Sequence, residues 1–164
     1  VSATDELIAH NRDYAQQFDK GDLPMPPARK VAVLACMDAR LDPAKALGLE
    51  EGDAHVIRNA GGVASEDVIR SLVISQRLLG TDEIILIHHT NCGMETFSDD
   101  QVKDQIQGDT GIRPSFALEA FPKAEDDVKQ TAARIKASPF IPNKTIRGFV
   151  YEVETGKLRE VSLA

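Results

Sequence analysis

The stretch KVAVLACMDAR, residues 30–40, decides the fold. Its first seven residues, Lys30 to Cys36, form a short apolar run rich in β-branched side chains, the pattern of a strand buried on both faces. Beyond it, Asp42 to Leu47 reads as a short helix with Pro43 in its first turn, and Gly48 and Gly52 bracket a loop. Ala54 to Asn59 (AHVIRN) reads as a second strand, with Gly61 and Gly62 making the turn out of it. Ser65 to Leu79 is the clearest helix. Ser65 caps it, Glu66 and Asp67 complement the positive end of its dipole, and Gly80 stops it. Val68, Leu72, Val73, Leu78 and Leu79 supply its apolar face.

Glu83 to Ile87 (EIILI) is a third buried strand. Residues 98–121 are polar and broken by Gly108, Gly111 and Pro114, so they read as short helices and loops. Ala124 to Ala137 is a further helix, ended by Ser138-Pro139. Thr145 to Val153 and Leu158 to Val161 read as strands joined by a turn over Glu154-Thr155-Gly156-Lys157. Strands alternating with helices imply an α/β fold with a mostly parallel sheet and right-handed crossovers, ordered 2-1-3-4 with an antiparallel edge strand.

Toward the N-terminus, residues 3–18 read as a helix capped by Thr4, with Leu7, Ile8, Tyr14, Ala15 and Phe18 roughly on one face. The segment from Gly21 to Pro27 then breaks regular structure. A helix with such a connector packs either as an arm on a neighbouring subunit or on its own domain, and both readings stand on the residues alone. At 164 residues the chain suits a single domain, 1–164, with 1–27 as a helical arm and Pro-rich connector.

The bulk numbers exclude several classes. The net charge of −7 repels phosphate backbones, which argues against nucleic-acid binding. No apolar run approaches the ~20 residues of a membrane-spanning helix, so no membrane partner is expected. Val1 to His10 lacks a basic stretch followed by an apolar core, so no secretory leader is read there and a cytoplasmic location is expected. Two cysteines in such a chain are more often free thiols, metal ligands or redox groups than a disulfide.

Cys36 ends the first strand and His89 lies just past the third. In a 2-1-3-4 sheet those strands are neighbours, and ligands gather outside their carboxyl ends. His89 and Cys92 form an H-x-x-C pair that can reach one ion, and Cys and His are preferred zinc donors. Three protein donors leave a fourth position for water, the pattern of catalytic zinc. Taken alone, H-x-x-C is equally a buried histidine and a free thiol with no metal. Cys36, Asp38 and Arg40 at i, i+2 and i+4 of an extended segment would share one side of the crevice. Asp38 can then accept a hydrogen bond from zinc-bound water or become a fourth zinc ligand that closes the site, with Arg40 gripping its carboxylate. Two thiolates cancel the zinc charge, so a neighbouring group that stabilises hydroxide is useful.

Cys36-x-Asp38-x-Arg40, Arg58-Asn59-Ala60-Gly61 and His89-x-x-Cys92-Gly93, in that order, resemble the β-class carbonic anhydrases. The resemblance implies Zn²⁺ held by Cys36, His89 and Cys92, and a catalytic dyad of Asp38 and Arg40. It implies hydration of CO₂ to bicarbonate and a proton by zinc-bound hydroxide. It also implies a homodimer or homotetramer with the N-terminal helix wrapped on the partner, which favours the arm reading. Carbonyl sulfide and carbon disulfide hydrolases resemble the same family with the same ligands, so release of H₂S from such a substrate is an alternative. A non-catalytic zinc-binding or thiol-sensing protein is a third. The chain departs from the family pattern at Ala39, at Gly62 where Asn is frequent, at His88 where Gly is common, and at Met94 where a second Gly is common. His88 reads as a structural histidine, His10 and His55 as surface or packing residues. Asp99, Asp100, Asp104 and Asp109 read as a solvated acidic face. The Ala60-Gly61-Gly62 segment reads either as a source of backbone donors near substrate or as a tight turn.

Overall fold

The computed structural model describes residues 1–164. Five strands, β1 (Val31–Cys36), β2 (Ala54–Asn59), β3 (Glu83–His89), β4 (Thr145–Tyr151) and β5 (Leu158–Val161), form one sheet in the order β2-β1-β3-β4-β5. The first four run parallel and β5 lies antiparallel on β4, as the alternation of elements implied. β1 takes a central place because it is apolar on both faces: Ala32, Val33, Leu34 and Ala35 are all fully buried. On one face Ala32, Leu34, Ile84 and Leu86 pack against α3 (Glu66–Arg77) and α5 (Ala124–Ala137). On the other, Val33, Ala35 and Ile87 pack with Leu41, Met94 and Phe121.

Three helices differ from the pattern read in the sequence. Helix α1 spans Ala3–Gln16 and is capped by Ser2 rather than Thr4. Ser2 accepts from the Asp5 amide while the Asp5 carboxylate accepts from the Ser2 amide, a reciprocal box that Thr4 cannot make. None of its residues is buried in this chain. Helix α3 stops at Arg77, so Leu78 falls outside it and is 72% exposed. Its inward stripe continues from Val68 and Leu72 into Ser75 and Gln76, two polar residues at i+7 and i+8 of Val68. They are satisfied there. Ser75 Oγ lies 2.7 Å from both His55 Nδ1 and Thr81 Oγ1, and the Gln76 amide exchanges hydrogen bonds with the Asn143 backbone.

Residues 98–121 hold one helix, α4 (Asp99–Thr110), where short helices and loops were expected. Ser98 and Gln101 cap its start, and Gly111 ends it in the left-handed region at φ 78°. Caps at both ends outweigh Gly108 and the lack of an apolar face. Asp99 is not part of a solvated face: its carboxylate accepts the amides of Leu118, Glu119 and Ala120 at 2.9–3.2 Å and ties the loop back to the helix start. Asp100 and Asp104 pair with Arg113. The remaining helix, α2 (Pro43–Leu47), is capped by Asp42. No helix is long and apolar enough to cross a membrane.

Candidate metal centre

Cys36 is the last residue of β1, and His89 is the last of β3, which runs two residues further than its apolar core suggests. β1 and β3 are paired, with Ala35 opposite Ile87, so the two side chains emerge together at the carboxyl edge. Cys92 follows on the turn that enters a 3-10 segment, Gly93–Glu95. All three residues are buried, and their candidate donor atoms lie within 4.8 Å of one another. Ligands at ~2.1–2.3 Å around a tetrahedral ion stand ~3.6–3.8 Å apart, so small adjustments bring the set onto one zinc.

The histidine is prepared for a cation. His89 Nδ1 lies 2.8 Å from the Thr90 carbonyl, which can only accept, so Nδ1 carries the proton and Nε2 presents its lone pair. Nε2 is buried and has no hydrogen-bond partner. An orphaned polar atom of this kind costs about 1–3 kcal/mol unless something binds it. The thiols point the same way. The Cys36 thiol is lowered to about 4, chiefly by the Cys92 side chain, with His89 and the amides of Asp38 and Gly61 adding to it. Cys92 is pushed far up, chiefly by Cys36. Two thiolates this close cannot both stay charged without a positive ion between them. The donor set therefore fits zinc.

Asp38 and Arg40 meet, though not as alternate residues of an extended strand. The chain leaves β1 after Cys36 and turns over Asp38–Leu41, with the Leu41 amide donating to the Asp38 carbonyl at 3.1 Å. The turn folds Arg40 back on Asp38. Its backbone amide and Nε donate to Asp38 Oδ1, and Nη2 donates to Asp38 Oδ2 at 2.8 Å. Nη2 also donates to the Asn91 carbonyl at 2.8 Å, which links this turn to the turn between His89 and Cys92. Arg40 holds the Asp38 carboxyl well below the usual carboxylate range. Asp38 Oδ2 stands 3.6 Å from His89 Nε2, at the edge of the donor set.

Several residues beyond the proposed ligands and the Asp38–Arg40 pair build this geometry. Arg58 on β2 donates to the carbonyls of Cys36, Asp38 and Leu41 at 2.7–2.9 Å and fixes the path of the turn. It stands in the Arg58-Asn59-Ala60-Gly61 block, which was the available signal. The Asn59 side chain exchanges two hydrogen bonds with the Val63 backbone and closes the glycine turn. That turn packs against the end of β1, and the Gly61 amide helps to lower the Cys36 thiol. Gly62 has φ 68°, and a Cβ there would lie 2.9 Å from the Cys36 nitrogen. The left-handed conformation suits Gly, and Asn more than other residues, while the close approach to β1 favours Gly. Glu95 accepts from the Cys92 amide at 3.2 Å. His88 is buried and lies 2.7 Å from Asp127. His10 is exposed.

Fold and site together define an open α/β protein with a Cys–His–Cys donor set, flanked by an Asp–Arg pair, at the carboxyl edge of a parallel sheet. A carbonic anhydrase family model matches residues 31–158. The chain is 58% identical over 163 residues to β-carbonic anhydrase 1 of Mycobacterium tuberculosis, covering 99% of each. It is 38% identical over 182 residues to the carbon disulfide hydrolase of Saccharolobus solfataricus, covering 95% of this chain and 87% of that one. The crystal structure of the Streptococcus mutans carbonic anhydrase superposes with a TM-score of 0.93 at 43% identity, covering 99% of both chains. The chain belongs to the β-carbonic anhydrase family, enzymes of the carbonate dehydratase class.

Proposed function

We propose that the chain hydrates CO₂ to bicarbonate and a proton, with zinc held by Cys36, His89 and Cys92. The observation that carries this reading is the buried, unpartnered His89 Nε2 facing two thiols, with an arginine-held carboxylate 3.6 Å away. Zinc, when bound, acidifies a water and supplies a nucleophile near neutral pH. Asp38 stays ionised, so it acts as an acceptor: it takes the hydrogen bond of the attacking water and turns its lone pair toward the CO₂ carbon. Arg40 engages both Asp38 oxygens, which keeps the carboxylate beside the metal position instead of on it. The Arg40 link to the Asn91 carbonyl holds that arrangement to the ligand turn.

Hydrolysis of carbonyl sulfide or carbon disulfide with release of H₂S is the second reading, supported by relatives named carbon disulfide hydrolase at 38% and 40% identity. Both readings use a linear electrophile and the same nucleophile. CO₂ is favoured by the greater identity to the mycobacterial enzyme over nearly the whole chain. Turnover of CO₂, carbonyl sulfide and carbon disulfide on one preparation of known zinc content decides between them. Cys36→Ala is expected to lose zinc and activity together; an active, zinc-free variant would refute the mechanism.

The partner we propose is a second copy of this chain. Leu7, Ile8, Tyr14 and Phe18 stand 47–67% exposed on the arm, residues 1–27 of the single domain 1–164. Such a row of apolar side chains costs solubility unless it is covered.

A further inference from the structure

The two donors at the end of β3 are framed by residues that donate nothing to the metal position, and each is tied to the same place. Before His89, His88 is 1% exposed and its Nε2 lies 2.7 Å from Asp127 Oδ2, in the first turn of α5. Asp127 also accepts from Thr131 Oγ1 at 3.4 Å. After Cys92, Glu95 divides its carboxylate: Oε1 accepts from the Cys92 amide at 3.2 Å and Oε2 from the Ala124 amide at 3.1 Å. Between them, the Phe121 amide donates to the Met94 carbonyl at 3.1 Å. Residues 88–95 and 121–127 are thus joined at three points.

Two details argue that these ties do more than fill space. The N-cap position of α5 is Lys123, whose side chain makes no capping bond, and Glu95 supplies the missing acceptor from outside the helix. Capping the helix and holding the Cys92 amide are then one act of one carboxylate. His88 Nδ1 is buried without a partner, so the His88–Asp127 pair carries a desolvation cost that an apolar pair of the same size would avoid. On the far side, β4 and the turn after it hold the same loop, through the Thr90 amide on the Tyr151 carbonyl at 2.9 Å and the Val153 amide on Thr90 Oγ1 at 3.0 Å. The ligand loop is gripped from both flanks.

We infer that the first turn of α5 is a clamp that sets the reach of His89 and Cys92 toward Cys36, with Asp127 and Glu95 as positioning residues. The inference rests on the reading of Cys36, His89 and Cys92 as zinc ligands.

The test uses wild type, Asp127→Ala, Asp127→Asn and Glu95→Ala, loaded in parallel with zinc and with cobalt. Zinc release to a chromogenic chelator is expected to quicken about tenfold in Asp127→Ala and Glu95→Ala. The cobalt absorption bands are expected to shift in both, a change that loss of stability alone does not produce in a folded chain. Asp127→Asn, whose amide oxygen still accepts from His88 Nε2, is expected to stay close to wild type on both readouts. Hydrogen exchange over residues 88–95 of the metal-free chain is expected to quicken in the two alanine variants. Unchanged release and spectra in Glu95→Ala and Asp127→Ala would overturn the clamp, as would an Asp127→Asn variant impaired as much as Asp127→Ala. If Asp127→Ala does not fold, Glu95→Ala decides alone. A wild-type chain that binds no zinc would overturn the metal reading instead, and hydrogen exchange in the metal-free variants would then decide the clamp.

Discussion

Gly148→Ala offers a quantitative test of how closely α5 sits on the sheet. Gly148 is buried in β4, between Leu86 of β3 and Val161 of β5. A Cβ added there would fall well inside the ~3.5–4.0 Å optimal contact of Val128 Cγ1 on α5. It would also stand 3.4 Å from Leu163 Cδ2. Val128 is fully buried, and a valine in a helix has one strongly preferred rotamer, so it cannot swing aside. The helix itself must lift. Adding a methyl to a closely packed site costs about 1–3 kcal/mol. Replacing glycine returns about 0.4–1 kcal/mol by restricting the unfolded chain. The net expectation is a loss of about 1–2 kcal/mol.

Val128→Ala alone leaves a cavity worth about 2 kcal/mol. In the double variant the new methyl occupies part of that cavity. The two changes are therefore expected to cost at least about 1 kcal/mol less together than their sum. Urea unfolding of the four proteins at one pH and one zinc concentration measures the cycle, because bound metal adds its own stability. A Gly148→Ala protein as stable as wild type, or strictly additive costs, would refute the close-approach reasoning.

Three further outcomes are expected. Arg40→Ala should lower kcat/KM for CO₂ about 10–100-fold with zinc still bound, because Asp38 loses the partner that fixes it; unchanged turnover at full zinc content would remove Arg40 from the mechanism. Burial raises the Asp99 pKa, but the amides of Ala120, Leu118 and Glu119 outweigh it, so the folded value lies below the ordinary 3.8. The stability this contributes is complete above pH 3.8 and fades as pH falls through the folded value. Asp99→Asn should therefore cost about 1 kcal/mol at neutral pH, a figure held down by partial exposure, and the gap from wild type should close on acidification; a gap that is constant with pH would contradict it. Leu7→Ser with Phe18→Ser should shift the sedimenting species from dimer toward monomer, each buried side chain being worth about 1.5–3 kcal/mol at an interface; a wild-type monomer would refute the arm.

Much of the fold was legible because β1 and β3 are nearly continuous apolar runs and each crossover helix carries a terminal signal, such as Ser65 before α3. Helix α4 was not, because it has no apolar face and rests on Ser98, Gln101 and Gly111, which read equally as loop residues. The inward Ser75 and Gln76 were missed for a related reason. Polar residues enter a buried stripe only when distant partners satisfy them, and those partners, His55 and Asn143, lie far off in sequence.

The candidate site divides along the same line. The order of residues shows which donors are present and, through the order of the strands, that Cys36 and His89 stand at one edge. Asp38 and Arg40 were readable beside them, but what holds that pair and the ligand loop in place came from tertiary structure. Arg40 reaches Asp38 through a turn held by Arg58 and by the Asn91 carbonyl, 51 residues from Arg40. Asp127 and Glu95 meet the ligand loop only after α5 has docked. Periodicity along a chain reports which face a residue occupies. It carries no information on which distant hydrogen-bond partner arrives there, and those partners set the reach and charge of a site.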